Sequence, residues 1–233
     1  MGKDVSPLFR EITFGLEDSL VSTLGAVTGI AAGTGSSLTV LLAGIVYVVI
    51  ESLSLAAGAF ISSKTQTEVQ KQELEQEKQE IEQHPAEEIK EFEEFIKEKN
   101  LEPTDRKQLI RIISKNPQLL LEEVATHQLG ISPISSEKPA LNALVMSVSY
   151  LVGGVFPIIP YALFPIGLAP YFSIALTFLA VIGLGVMKAK VGRTSITKSV
   201  LEVLLISVVV TIIGYLVGEL IGSLFNLNHS TVR

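Results

Sequence analysis

The chain has no cysteine. Disulfides, thiolate metal sites and a cysteine nucleophile are therefore excluded. Charge is also scarce. Asp, Glu, Lys and Arg make up 18 % of the 233 residues, against roughly 25 % in a soluble domain. The net charge is −6, which argues against nucleic acid as a partner, since that binding needs a basic patch. No P-loop, GxSxG or HExxH occurs, and the glycines of GIAAGTG follow no strand, so nucleotide binding lacks its scaffold. A membrane di-iron oxidase would need Glu-x-x-His pairs. None is present, because His84 and His127 each follow a glutamate by four. The reading is therefore not an enzyme, and no prosthetic group is expected. The start, MGKDVSPLFR, lacks the pattern of a cleaved secretory signal, so the first apolar stretch is expected to remain as a membrane anchor.

What the chain does have is long apolar runs. Hydrophobic residues are 48 % of it. Five stretches, about 12–32, 38–62, 140–159, 168–187 and 200–225, approach the ~20 helical residues that span a bilayer. Backbone polar groups in lipid must be satisfied internally, so these read as helices. The expected fold is an all-α integral membrane protein of five transmembrane helices, with a helical insert between spans two and three. The divisions are 1–63 (spans one and two), 64–137 (acidic insert) and 138–233 (spans three to five). GTGSS forms a polar turn after span one, and the prolines of FPIIPYALFP are expected to break span three. Within the insert four helices are expected, about 64–83, 86–99, 105–115 and 118–128. His84-Pro85 separates the first two, Thr104 is the expected N-cap of the third, and Pro117 opens the fourth. The first continues out of span two, because no breaker intervenes.

Orientation follows from Lys and Arg. Lys3 and Arg10 precede span one, and Lys188, Lys190, Arg193 and Lys198 fill the turn before span five, while turns 33–37 and 160–165 carry neither residue. The positive-inside rule makes the N-terminus, the insert and the last turn cytoplasmic. The compact chain without a targeting extension suggests a prokaryotic plasma membrane.

Most of the acidic residues lie in the insert. Glu77 and Glu80 are three apart, as are Glu88 and Glu91, so each pair shares a helix face. Two such pairs on neighbouring helices can converge into a carboxylate cluster for a hard or borderline divalent cation. The plainer reading is a solvated charged face. Glu51 is more telling, since it lies near the middle of span two. An ionisable group at that depth costs about 3 kcal/mol or more and generally faces a pathway or a partner. The plainer reading there is a protonated Glu bonded to a neighbouring helix. Asp18 lies beside Glu17 in span one, and Ser19, Ser22, Ser52 and Ser54 add oxygen atoms. Glu202 and Glu219 fall near the ends of span five, where interfacial solvation explains them. Gly25, Gly29, Gly33, Ala56, Ala57, Gly58, Gly153 and Gly154 allow close helix approach.

These features together resemble the vacuolar iron transporter family. The likeness rests on the five spans, the insert, EDSLVSTLGAVTG in span one, SLSLAAGAFISSK in span two, GGVFPIIPY ending span three, and the Lys-rich turn before span five. The resemblance implies export of cytosolic Fe²⁺, and often Mn²⁺, in exchange for protons, with Co²⁺ and Zn²⁺ as further candidate ions. It also implies a homodimer with its pathway near the two-fold axis. Metal in this family is held in the insert by glutamates and methionines. The matching positions are Glu77, Glu80, Glu88 and Glu91. The usual two Met and Glu of the last insert helix are Val124, Ala125 and Gln128. Asp18 matches the family Asp of span one, a Met usual in span two is Leu55, and the Glu of the common GEY signature is Ala59. Glu123 and His127 lie close to the vacant positions, and imidazole suits such metals, so they are candidate replacements. The transport pathway is expected to use Asp18, Glu51 and Ser54. The alternative is a non-transporting membrane protein whose insert senses metal or binds a partner.

Overall fold

The computed structural model describes residues 7–99, 101–127, 130, 138–225 and 227. Its helices are α1 (Pro7–Thr34), α2 (Ser37–Gln83), α3 (Pro85–Lys97), α4 (Pro103–Ile113), α5 (Pro117–His127), α6 (Pro139–Leu163), α7 (Ala169–Gly192) and α8 (Ile196–Leu224). The described residues contain no strand. They divide into two compact units, Met1–Ile61 with Pro139–Arg233, and Ser62–Lys138. Helix α2 is one uninterrupted run of 47 residues that belongs to both, as expected from the absence of a breaker before His84.

In the first unit α1 is the central helix. Gly25, Gly29 and Gly33 meet Val210, Gly214 and Gly218 in ascending order, so α1 and α8 run parallel. Gly15 meets Met146 and Ser19 bonds to Tyr150, so α6 runs parallel to them too. Gly44 lies against Val27 and Ile158 while Val48 lies against Gly154, which makes α2 antiparallel. Ser173 of α7 reaches Pro157 while Lys188 reaches Glu17, so α7 is antiparallel as well. The seam between α1 and α8 is glycine on both sides, which brings backbone against backbone. Around it Val27, Val40, Val48, Tyr150, Ile158 and Tyr161 form one buried cluster, and Leu20, Val181, Leu184 and Val203 another.

Four helices are long and apolar enough to cross a membrane: α2, α6, α7 and α8. Helix α1 is not among them, because Arg10, Glu11, Glu17 and Asp18 occupy its first half. Two local expectations are corrected. The prolines do not break span three, since α6 runs through Pro157 and Pro160 and ends only at Leu163. Both prolines are buried in the bundle, and helices packed in such surroundings tolerate proline. Ser173 Oγ of α7 donates to the Pro157 carbonyl at 2.7 Å, a contact between α6 and α7. Thr104 is not an N-cap either. Glu102 holds that position without a side-chain cap, and Pro103 occupies the first turn, where its fixed φ is already helical. Gly35, at φ 61, supplies the left-handed residue of the α1–α2 turn.

The second unit has its own core of Ile81, Phe92, Ile96, Ile113, Leu120 and Val124. Ile81 comes from the end of α2, and Phe92 and Ile96 are four apart on α3, the spacing that lines one helix face.

Candidate functional site

Chemistry-bearing residues gather at two places, one in each unit. In the bundle, Asp18 of α1 lies within electrostatic reach of Glu51 on α2 and of Glu17. Both Asp18 and Glu51 are half-buried. The serines around them are mostly committed to packing. Ser19 Oγ donates to the Tyr150 carbonyl at 2.6 Å, Ser22 Oγ and the Tyr150 hydroxyl are 2.9 Å apart, and Ser52 Oγ donates to the Val49 carbonyl at 2.8 Å. Ser54 is exposed. It sits with Ile50 and Leu53, about 60 % and 59 % exposed, on a bare apolar face of α2 that also borders Glu51. Glu17 faces another way and is held by Lys188 Nζ at 2.7 Å. Glu202 and Glu219 are exposed. Glu11, which the sequence did not single out, is 4 % exposed and accepts from the Arg10 guanidinium at 2.8 Å. Leu55 packs half-buried against the bundle core.

In the insert the residues that meet are Glu77 on α2 and Glu88 on α3. Glu88 is 9 % exposed. Glu77 Oε1 is enclosed with no hydrogen-bond partner among the described residues. Burial, then the charge of Glu88, then Glu80 and Glu91, push the Glu77 carboxyl up to about 7. Burial also pushes Glu88 up, reinforced by Glu91 and Glu80 and opposed by the hydrogen bond from Glu77. Desolvation and like charge both disfavour the ionised form, so both carboxyls hold a proton more tightly than a free glutamate does. Glu80 and Glu91 remain exposed and act on the pair through their charge. Among the described residues no three acidic or histidine side chains are close enough together to hold a metal ion. The site is a carboxyl pair, Glu77 and Glu88, flanked by Glu80 and Glu91.

The replacement ligands fare differently. Val124 and Ala125 are 1 % and 0 % exposed, and Val124 is part of the insert core, so apolar packing occupies those positions. Glu123 is half-buried on α5. The backbone of His127 ends α5, its side chain lies outside the described structure, and Gln128 lies outside the described residues.

The model of the VIT family matches residues 9–219. The chain is similar to vacuolar iron transporter 1 of Eucalyptus grandis, with 26 % identity over 203 residues, covering 87 % of this chain and 82 % of that one. It is 24 % identical over 203 residues to vacuolar iron transporter 1 of Arabidopsis thaliana, covering 87 % and 81 %. With the vacuolar iron transporter of Centaurea cyanus it shares 26 % identity over 201 residues, covering 86 % and 82 %. These relatives are named as transporters rather than as enzymes.

Proposed function

Because the chain belongs to the VIT family, we propose that it carries a divalent metal ion across a membrane, Fe²⁺ first and Mn²⁺ second, by exchange for protons. The observation that carries this reading is the Asp18–Glu51 pair, two acids from antiparallel helices within electrostatic reach of each other in an apolar bundle. Two like charges held together in such a place repel, and a divalent cation relieves both. Protons compete with metal for the same carboxylates, so protons on the far side would release the ion. The membrane then contains five spans in this reading, with α1 crossing as a polar-headed helix. Its parallel course beside the apolar α6 and α8 supports that. Following the Lys and Arg distribution, the N-terminus, the insert and the α7–α8 turn face the cytoplasm.

A homodimer contact on α2 is part of this reading, because Glu51 sits at the edge of the bare face formed by Ile50, Leu53 and Ser54. Lipid is a costly neighbour for that carboxylate, whereas a second copy placing its own α2 there would enclose two Asp18–Glu51 pairs in one shared path. The insert would collect metal in the cytoplasm through its carboxylates.

The pH dependence follows from Glu77. Its carboxyl binds a proton more tightly when folded, so an incoming ion must displace that proton below about pH 7. Metal affinity at the insert should then fall as pH drops below 7, approaching roughly tenfold per unit for one displaced proton. Stability runs the other way. A raised carboxyl favours the fold at low pH, and that contribution is lost as pH rises from the unfolded value of 4.5 through about 7. Glu77→Gln should therefore weaken metal binding measured by calorimetry, flatten its pH dependence below 7, and raise the metal-free melting temperature at pH 8. Unchanged affinity with an unchanged pH profile would remove Glu77 from the site.

A second reading, a metal-sensing or partner-binding membrane protein that does not transport, draws on the insert. Val124 and Ala125 are core residues, and no three-ligand cluster is assembled among the described residues. Proteoliposomes separate the readings. With a metal-quenched dye and a pH dye inside, Fe²⁺, Mn²⁺, Co²⁺ and Zn²⁺ are offered in turn. The transporter reading expects metal entry matched by proton exit. Folded, dimeric protein with no flux of any of these ions would favour the sensor.

A further inference from the structure

Helix α4 is the basic helix of an acidic insert. Its inward side carries Leu109, Ile110 and Ile113. Its outward side carries Lys107 and Arg111, and Lys115 follows in the turn that ends it. All three are exposed and each is four residues from the next, the spacing that stacks side chains on one helix face. Lys107 and Arg111 line an open groove of about 400 Å³ along the first turns of α4, and Ile112 beside them is 58 % exposed. Asp105 is the one acid of the helix. None of the three cations makes an ion pair among the described residues. Helix α3 presents the opposite sign. Glu87, Glu91, Glu94 and Glu98 are exposed and recur after four, three and four residues, which keeps them on one face, while Phe92 and Ile96 turn to the core. Lys90 and Lys97 border this stripe, and neither is within ion-pair distance of an acid among the described residues. Like charges four apart on a helix repel. Each stripe is therefore destabilising by itself and is relieved when the opposite stripe lies against it.

We propose that the outward face of α4 is a docking surface for the acidic face of α3 in a second copy of this chain. The two stripes match in length, about 12 Å from Lys107 to Lys115 and about 16 Å from Glu87 to Glu98 at 1.5 Å per residue. Helices α3 and α4 also pack against each other within one insert. A two-fold axis therefore sets α4 of each copy on α3 of the other, a self-complementary contact made twice. Ile112, left bare in one chain, is covered by the same contact. Copies anchored in one membrane with one orientation hold their inserts at one level, so the acidic complement is always at hand. The contact is separate from the bare face of α2 and independent of the cargo.

The test exploits the absence of native cysteine. Full-length protein is coexpressed as two differently tagged copies, one with Ile112→Cys and the other with Lys90→Cys, then reconstituted in phosphatidylcholine vesicles and oxidised. Only a disulfide between copies joins the two tags. It should form at about 0.1 M salt and fall about tenfold in yield at about 1 M, where exposed charges are screened within about 3 Å. Charge reversal in both copies, by Lys107→Glu/Arg111→Glu/Lys115→Glu or by Glu87→Lys/Glu94→Lys/Glu98→Lys, should also lower the yield about tenfold, since three modest surface pairs are inverted. All six positions are exposed and lie outside the insert core, so the fold is kept. The third sample places the α4 reversal in the Ile112→Cys copy and the α3 reversal in the Lys90→Cys copy. Every facing pair is then opposite in sign again, and the yield should recover. The proposal is overturned by an absent disulfide at low salt, by a yield that ignores charge reversal, or by a mixed sample that stays low. If no disulfide forms and phosphatidylglycerol vesicles alone shield Ile112→Cys from a maleimide, the face belongs to the membrane surface and the proposal fails.

Discussion

Glu51→Gln is expected to reduce metal flux in proteoliposomes by about a hundredfold or more while leaving the protein folded and dimeric. The substitution keeps size and hydrogen-bonding capacity and removes one negative charge. A unit charge about 4 Å from its partner contributes roughly 4 kcal/mol at an effective dielectric near 20, and twice that against a divalent ion. Each 1.4 kcal/mol corresponds to about a factor of ten, so even a heavily screened contact supports the stated loss. Asp18→Asn should behave in the same way. The double variant should be little worse than either single one, because the two acids act as a unit and their effects do not add. Glu219→Gln is the control. That residue is exposed at the far end of α8, and its loss should leave flux unchanged. Undiminished flux in Glu51→Gln would mean that the carboxyl is structural and that the ion passes without it.

The two acids were legible in the sequence for a simple reason. Charge inside an apolar run is costly, so its presence asks for a function. The insert was legible only in part. The spacing of Glu77, Glu80, Glu88 and Glu91 indicated two carboxylate faces but not which members are drawn inward. Glu77 lies four residues before Ile81, and Glu88 four before Phe92 and eight before Ile96, all core residues. The face that buries the core therefore pulls in one acid from each pair, and the i, i+4 relation to those apolar residues was the available signal. The same core explains Val124 and Ala125, whose loss of ligand character is a gain of packing. The prolines of α6 misled because a helix packed in a bundle tolerates proline, and Pro157 and Pro160 are both buried. The Glu17–Lys188 pair joins residues 171 apart, and no local pattern announces a contact of that kind.

The glycine seam carries the second large expected effect. A Cβ on Gly218 would run into the Gly29 carbonyl oxygen, and one on Gly214 into the Gly25 carbonyl oxygen. The obstacle in each case is backbone, which cannot turn aside as a side chain can. Gly218→Ala must push α1 and α8 apart along a contact that otherwise runs from Gly25 to Gly222. Overpacking costs about 1–3 kcal/mol, and at roughly 2–4 °C per kcal/mol for a chain of this size the melting temperature should fall by roughly 2–12 °C. Gly183→Ala provides the contrast. A Cβ there meets nothing within 4 Å, and Ala is the better helix former by about 0.5–1 kcal/mol, so this variant should be as stable as the parent or slightly more so. Equal melting temperatures for the two variants would mean that the seam is not a close contact. The consequence reaches the site, because α1 carries Asp18 and Gly25 lies two turns further along the same helix. Displacing α1 from α8 moves Asp18 relative to Glu51. Gly218→Ala should therefore lose flux as well as stability, although Gly218 pairs with no residue of the pathway. Lowering the assay temperature until the variant is fully folded should restore only part of the flux. Full recovery would assign the whole defect to unfolding.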